Sequence, residues 1–349
     1  MLDFFARIRL CEVAVKIVVE IDLNRIEQNI LATKRLVGVP VMLMVKADAY
    51  GHGLIKVAKR AENVVDAFGV ETLEEGLKLR RAGIKSEILV LALCENEIFR
   101  AYKQDLTIGL HNRAQFAKIV SLINSNHINP AKLKTHVKVD SGMHRLGFCL
   151  DELQIVLKKA KSLGIKVSGI YSHLRDETES QKGAFDKFVE VAKGYYPDIK
   201  AHLASSHSLF NPNLRYDGVR LGINAYKGAM SAYSKVIESR RLQEGERVSY
   251  GDFALQKATN TAVVFGGYAD SIARENPSSV WIRGKKCAVI GNVCMDCFVV
   301  DTGDLVAKVD EKVLLFDGDK ASEVASERNT IEYCLMTSQK GRIKRVYLN

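Results

Sequence analysis

The chain has 349 residues, 47% hydrophobic and 26% charged with only five prolines, a mix that excludes a disordered or fibrous chain and leaves room for a large and a small domain. A net charge of +10 and a pI near 9.1 would suit nucleic acid. The lysines and arginines are spread out, however, with GRIKRVY the densest cluster, so they read as a solvated surface that attracts small anions and not as a nucleic-acid site.

The N-terminal MLDFFARIRLCEVAVK is broken by Asp3, Arg7, Arg9 and Glu12 and lacks the apolar core of a signal peptide. No run approaches about twenty apolar residues, so no membrane span is expected. KIVVEI (16–21) reads as a strand, and DLNRIEQNILATKRL as a helix capped by Asp22. Then comes a repeated unit of short apolar run and longer helical stretch. The runs are VMLMV (41–45), DAFGV (66–70), ILVLA (88–92), LTIGL (106–110), THVKV (135–139), VSGIY (167–171), AHLA (201–204) and DGVRL (217–221). Between them, segments such as LIKVAKRAEN, LEEGLKLRRAG, ELQIVLKKAKSLG and AFDKFVEVAKGY place apolar residues three and four apart.

Eight buried strands alternating with helices predict a (β/α)8 TIM-type barrel, with a doubly wound open sheet as the rival. Lys46, Asp140, His173, Ser205, Ser206 and Gly222 fall at or just after strand ends, where a barrel builds its active site. Beyond residue 235 helical periodicity fades, and TAVVFGGYA, SVWIRG, KCAVIGNV, CFVVDTG and KVLLFDG follow with Gly or Asp-Gly between them. They predict a predominantly antiparallel β domain. The expected organisation is a segment 1–21 whose strand can join the C-terminal sheet, a barrel over 22–235 and a β domain over 236–349.

The seven cysteines, at 11, 94, 149, 287, 294, 297 and 334, form an odd, scattered set that suggests reduced thiols and a cytoplasmic protein. Cys294-Met-Asp-Cys297 has no second half at ligand spacing, so no metal is expected. Lys46 is the informative residue. It sits alone at the end of an apolar strand, where an ammonium is disfavoured, and a lysine with lowered pKa is a Schiff-base nucleophile.

The following motifs give that lysine a context. In order, VVEIDLNRIEQNI, VKADAYGHG, HVKVDSGMHRLGF, SHLRDETES, DGVRLGINAY, GGYADSIAR and GNVCMDCFVVDTGD resemble the alanine racemase family over most of the chain. The resemblance implies a pyridoxal 5'-phosphate enzyme interconverting L- and D-alanine, which supplies D-alanine for peptidoglycan. Lys46 would hold the cofactor and act as one base. Tyr50, Ser206, Gly222 and Ile223 would hold its phosphate, and Arg220 would meet the pyridine nitrogen.

Arginine there donates a hydrogen bond and leaves that nitrogen unprotonated, which argues against the main catalytic alternative, a decarboxylase of basic amino acids. A non-catalytic cofactor-binding protein made of the barrel alone is disfavoured by the β-domain motifs. The second base would be Tyr268. A phenol of ordinary acidity is a poor base at neutral pH, and the resemblance supplies help through His173 to Arg220. It also implies a homodimer in which the partner contributes the tyrosine. Lys138 would be a carbamylated lysine orienting Arg145 toward the substrate carboxylate, with Met295 and Asp296 also meeting the substrate.

Three positions depart from the pattern: Ser205 for an asparagine, Ser271 for a glycine, and Gly341 where a phosphate-contacting tyrosine is expected. Losing that hydroxyl predicts weaker cofactor retention or a broader substrate range. Gly341→Tyr is then expected to slow cofactor dissociation or narrow the amino acids accepted; no change in either measurement contradicts the alignment.

Overall fold

The computed structural model describes residues 17–339 and 341–349. The N-terminal sixteen residues, with Cys11 and the segment read above for a signal peptide, lie outside the described residues. The chain divides into two units, one of Arg25–Lys227 and the other of the residues up to Asn24 with Gly228–Asn349.

The first unit is a closed barrel of eight parallel strands: β2 (Val41–Met44), β3 (Ala67–Val70), β4 (Glu87–Val90), β5 (Thr107–Leu110), β6 (Lys134–Lys138), β7 (Lys166–Tyr171), β8 (Lys200–Ser205) and β9 (Gly218–Leu221). Pairing of Val41, Met42 and Leu43 with Val219, Arg220 and Leu221 closes the ring and rules out the open sheet. All eight expected strands form. Because both faces of a parallel barrel strand are covered, these strands read as nearly continuous apolar runs.

Helices such as Leu54–Ala61, Leu73–Arg81, Leu150–Ser162 and Glu179–Tyr195 supply the crossovers. The helix at Leu73–Arg81 starts in a capping box, with Thr72 Oγ1 accepting from Glu75 N and the Glu75 carboxylate accepting from Thr72 N.

Glycines let bulky polar side chains enter the barrel. A Cβ on Gly169 of β7 would lie 2.5 Å from the His136 ring, and one on Gly109 of β5 would lie 2.7 Å from Tyr171 Oη. Neither place admits a side chain.

In the second unit an eight-stranded sheet runs β11-β14-β13-β12-β15-β10-β1-β16, with β10 also pairing to β11. The strands are β1 (Val18–Asp22), β10 (Met230–Leu242), β11 (Thr259–Phe265), β12 (Val280–Ile282), β13 (Lys285–Ile290), β14 (Cys297–Gly303), β15 (Lys312–Phe316) and β16 (Lys344–Leu348). Every pairing is antiparallel except β1 with β16. β1, over Val18–Asp22, lies in this sheet between β10 and β16.

The texture change read near residue 235 falls inside β10, and the units divide at Lys227 and Gly228. β10 and the basic β16 carry weak signals. β10 alternates in burial through small residues such as Ala232 and Ser234, and β16 was read only as a charge cluster. No helix among the described residues is long and apolar enough to cross a membrane.

Gly169→Ala is expected to destabilise the fold by about 1–3 kcal/mol through overpacking against His136. Equilibrium urea unfolding measures this, and an unchanged midpoint would show that the barrel relaxes around the methyl.

Candidate active site

Beyond β2 the backbone does something unusual. Ala47, Asp48, Ala49 and Tyr50 have φ of 52°, 56°, 53° and 53°, one turn of left-handed helix built without glycine. Such residues cost about 1–2 kcal/mol each, so the turn must be held from outside. Ala47 N donates to Glu75 Oε1 (2.7 Å), Ala49 N to Val45 O (2.8 Å), Gly53 N to Asp48 O (2.8 Å) and Leu54 N to Asp48 Oδ1 (2.7 Å). Glu75 therefore braces this turn as well as capping its own helix.

At the head of the turn, Lys46 Nζ lies 2.9 Å from Glu71 Oε2, the two side chains being 37% and 41% exposed. The solitary charge expected from the sequence is thus corrected: Glu71, just past β3, partners it. An ion pair this exposed contributes about 0–1 kcal/mol. At the other end Tyr50 is buried, its ring stacked on Tyr226 at 5.0 Å.

Tyr50 faces Gly222. A Cβ at Gly222 would stand 2.7 Å from Tyr50 Oη and 3.5 Å from Ser206 Oγ, so the glycine keeps a small polar hollow open. Ser206, buried after β8, accepts from Gly222 N (2.8 Å) and Asn224 N (3.3 Å). Ile223 begins the short helix Ile223–Tyr226 that follows. Backbone N–H groups and two hydroxyls on rigid supports are the chemistry that binds phosphate.

Arg220 on β9 is 5% exposed. It donates to His202 O (2.6 Å), Ser172 O (2.6 Å), Leu203 O (3.0 Å) and His202 Nδ1 (3.0 Å). The imidazole that Arg220 reaches is that of His202. Burial lowers the Arg220 pKa to about 10, so it stays protonated at neutral pH. His173, after β7, is driven to about 3 by burial, then by Arg220, Arg145, Lys138 and Lys46, and is neutral.

Lys138, the last residue of β6, is buried, and its Nζ sits 6.0 Å from the Tyr171 ring centroid. Burial, Arg145 and Arg220 lower its pKa to about 8. Arg145 itself is exposed on the loop beyond and acts on Lys138 through its charge.

The second unit gathers the remaining predicted residues. Tyr268 opens a 3-10 turn, Tyr268–Asp270, laid on the backbone of Cys294–Asp296. Gly266 N donates to Asp296 O (2.8 Å), Tyr268 N to Cys294 O (3.1 Å) and Ala269 N to Met295 O (3.2 Å). A Cβ on Gly267 would come within 2.3 Å of Met295 O, so only glycine permits this approach. Arg342 bridges both segments, donating to Asp270 Oδ1 (2.9 Å) and Oδ2 (2.6 Å) and to Asp296 Oδ1 (2.7 Å). Tyr268 and Met295 remain 44% and 54% exposed.

A family model described as alanine racemase, N-terminal domain, matches residues 21–229, and one described as alanine racemase, C-terminal domain, matches 229–347. The chain belongs to the alanine racemase family. The alanine racemase of Aquifex aeolicus is 34% identical over 351 residues, 94% of this chain and 98% of that one. That of Thermodesulfovibrio yellowstonii is 32% identical, covering 94% of each.

Among solved structures, the alanine racemase of Acinetobacter baumannii is 30% identical with a TM-score of 0.86, over 96% of this chain and 100% of that one. That of Bartonella henselae, solved with covalently bound pyridoxal phosphate, shares the fold at 24% identity and TM-score 0.87, covering 96% and 100%. Membership in the alanine racemase family makes this chain an isomerase.

Sequence reading missed Glu71, Glu75, His202 and Arg342. Only Glu75 carried a local signal, the Thr72-x-x-Glu75 cap. Among the predicted residues, Lys138 yields a pH test. Its pKa is about 8 in the fold against 10.5 for an ordinary lysine, so between those values the unfolded chain binds more protons. Stability therefore rises with pH from about 8 to about 10.5. Denaturation in bicarbonate-free buffer is expected to show this rise in the wild type and a flatter curve for Lys138→Met; parallel curves would contradict it.

Proposed function

We propose that the chain interconverts L- and D-alanine with pyridoxal 5'-phosphate by a two-base reaction. We further propose that it works as a cytoplasmic homodimer and supplies D-alanine for peptidoglycan. The observation that carries the cofactor assignment is the hollow at Gly222, where a Cβ would meet Tyr50 Oη and Ser206 Oγ. Family membership supports the reaction.

Lys46 Nζ would hold the cofactor covalently, and giving up the ion pair to Glu71 is part of becoming a neutral amine. Tyr50 and Ser206, with the backbone at Gly222 and Ile223, would hold its phosphate. Bound there, the cofactor supplies a sink for the electron pair left at the substrate Cα when a proton departs. Arg220 donates a hydrogen bond to the ring nitrogen without yielding its proton, because its pKa of about 10 stays above neutrality. That limits the charge the ring can take and restrains side reactions.

Two faces of Cα need two proton carriers. Lys46 Nζ takes or returns the proton on one face, and Tyr268 Oη does so on the other. Arg145 and the Met295–Asp296 segment bind the substrate carboxylate end. Lys138, with its pKa of about 8, presents enough free amine near neutrality to take up carbon dioxide. Carbamylation would turn its repulsion of Arg145 into attraction. Lys46 and Tyr268 belong to different units, which one chain or a dimer could bridge; the family resemblance supports a dimer in which each subunit lends its Tyr268 to the other and completes two sites.

Purified protein in deuterium oxide with L-alanine is expected to exchange the α-hydrogen and form D-alanine. Lys46→Ala should abolish both, and in Tyr268→Phe the α-exchange should fall mainly for one enantiomer while racemisation slows in both directions. Mixing these two variants under subunit exchange should restore about a quarter of wild-type activity, since half the dimers then carry one intact composite site. Carbon dioxide release, or no exchange with cofactor bound, would sink the reading, and no recovery on mixing would sink the shared site.

A further inference from the structure

Arg220 poses an electrostatic problem that its immediate neighbours leave unsolved. No carboxylate stands among the groups that favour its charge, and a buried cation is costly unless it is paired. A guanidinium only donates, and that fixes the protons on two histidines. Arg220 Nη1 lies 3.0 Å from His202 Nδ1, so Nδ1 offers its lone pair and the His202 proton sits on Nε2. That atom is 3.1 Å from His136 Nδ1, which must accept, leaving the His136 proton on Nε2. His136 Nε2 in turn lies 3.5 Å from Glu87 Oε1.

Both imidazoles are neutral. Burial drives the His202 pKa well below its ordinary value and lowers that of His136 against the opposing pull of Glu87. The missing side chain at Gly169 is what admits the His136 ring. Glu87, first residue of β4, stands at the N-terminal mouth of the barrel, where a cavity of about 550 Å³ opens beside His136, His202 and Lys200. Thr107 Oγ1 holds its carboxylate with a 2.8 Å hydrogen bond.

We propose that Glu87 is a positioning residue for Arg220: through the ordered protons of His136 and His202 it supplies, from the opposite mouth of the barrel, the negative charge that Arg220 lacks beside it. A carboxylate behind an imidazole makes the far nitrogen a stronger acceptor, and two imidazoles in series carry that effect to His202 Nδ1. The guanidinium is thereby held in one orientation. The catalytic consequence rests on the reading that Arg220 meets the cofactor ring; the proton order does not.

The test uses holoenzyme labelled with nitrogen-15 in histidine, as wild type, Glu87→Gln and Glu87→Asp. In the wild type both His136 and His202 are expected as Nε2-protonated tautomers. In Glu87→Gln the His202 Nδ1 resonance should move, and kcat for racemisation should fall roughly tenfold with KM for alanine nearly unchanged. Glu87→Asp, which keeps the carboxylate one methylene farther away, should lie between the two and serves in place of the glutamine variant if that one does not fold. A proton on His202 Nδ1, an unmoved His202 resonance, or an unchanged kcat overturns the proposal. If the wild type does not racemise alanine, the functional reading has failed, while the resonances still decide the proton order.

Discussion

One positive charge, buried where the barrel strands converge, sets the terms for the first unit. Arg220 is surrounded by acceptors from the backbone, and a barrel does not normally have carbonyls to spare, because they are committed to neighbouring strands. β8 releases them by slipping register against β9 between His202 and Ser205, so His202 O and Leu203 O accept from the guanidinium. Around this centre the usual aliphatic filling of a barrel gives way to rings. Tyr171 stacks on His202 at 5.0 Å and 8°, and the Arg220 guanidinium lies 5.6 Å from the Tyr171 centroid. Burial first, and then the same positive field, lowers the pKa of both Lys138 and His173, so these two candidate groups are kept closest to neutral.

The second unit solves a different problem, which is to hold an exposed tyrosine still. Three backbone hydrogen bonds fasten the Tyr268 turn to Cys294–Asp296, and Arg342 ties the buried Asp270 to the exposed Asp296. Ser271, where the resemblance led one to expect glycine, sustains a left-handed φ of 69°. Three residues with proposed roles, Tyr268, Met295 and Asp296, travel as one rigid piece.

Much of this was legible in the sequence, for identifiable reasons. Barrel strands announce themselves because burial on both faces demands unbroken apolar runs, and Lys46 stood out by interrupting one. β10 was obscured because it alternates through Ala and Ser, and β16 because Lys344 and Arg345 disguise a strand as a charge cluster. In the candidate site, the residues that stand at their own strand ends, Lys46, Ser206, Arg220 and Gly222, could be picked out from the sequence. Those whose role depends on a partner far along the chain could not. Glu71 meets Lys46 and Glu75 meets Ala47 only because β3 lies beside β2. His136 and His202, embedded in THVKV and AHLA, looked like ordinary strand polarity until the barrel closed and set their nitrogens face to face.

The left-handed turn after Lys46 has a consequence for any isolated piece of the chain. An unfolded chain rarely places four successive residues with side chains in that region of backbone space, and while the bonds to Val45 and Asp48 are local, the one from Ala47 N to Glu75 comes from a later helix. The turn is therefore not held by local bonds alone. Its brace at Glu75 exists only where the helix at Leu73–Arg81 lies beside it. A peptide spanning VMLMVKADAYGHG would contain the lysine and the tyrosine in sequence but not in geometry. The arrangement of Lys46 and Tyr50 is a property of the closed ring.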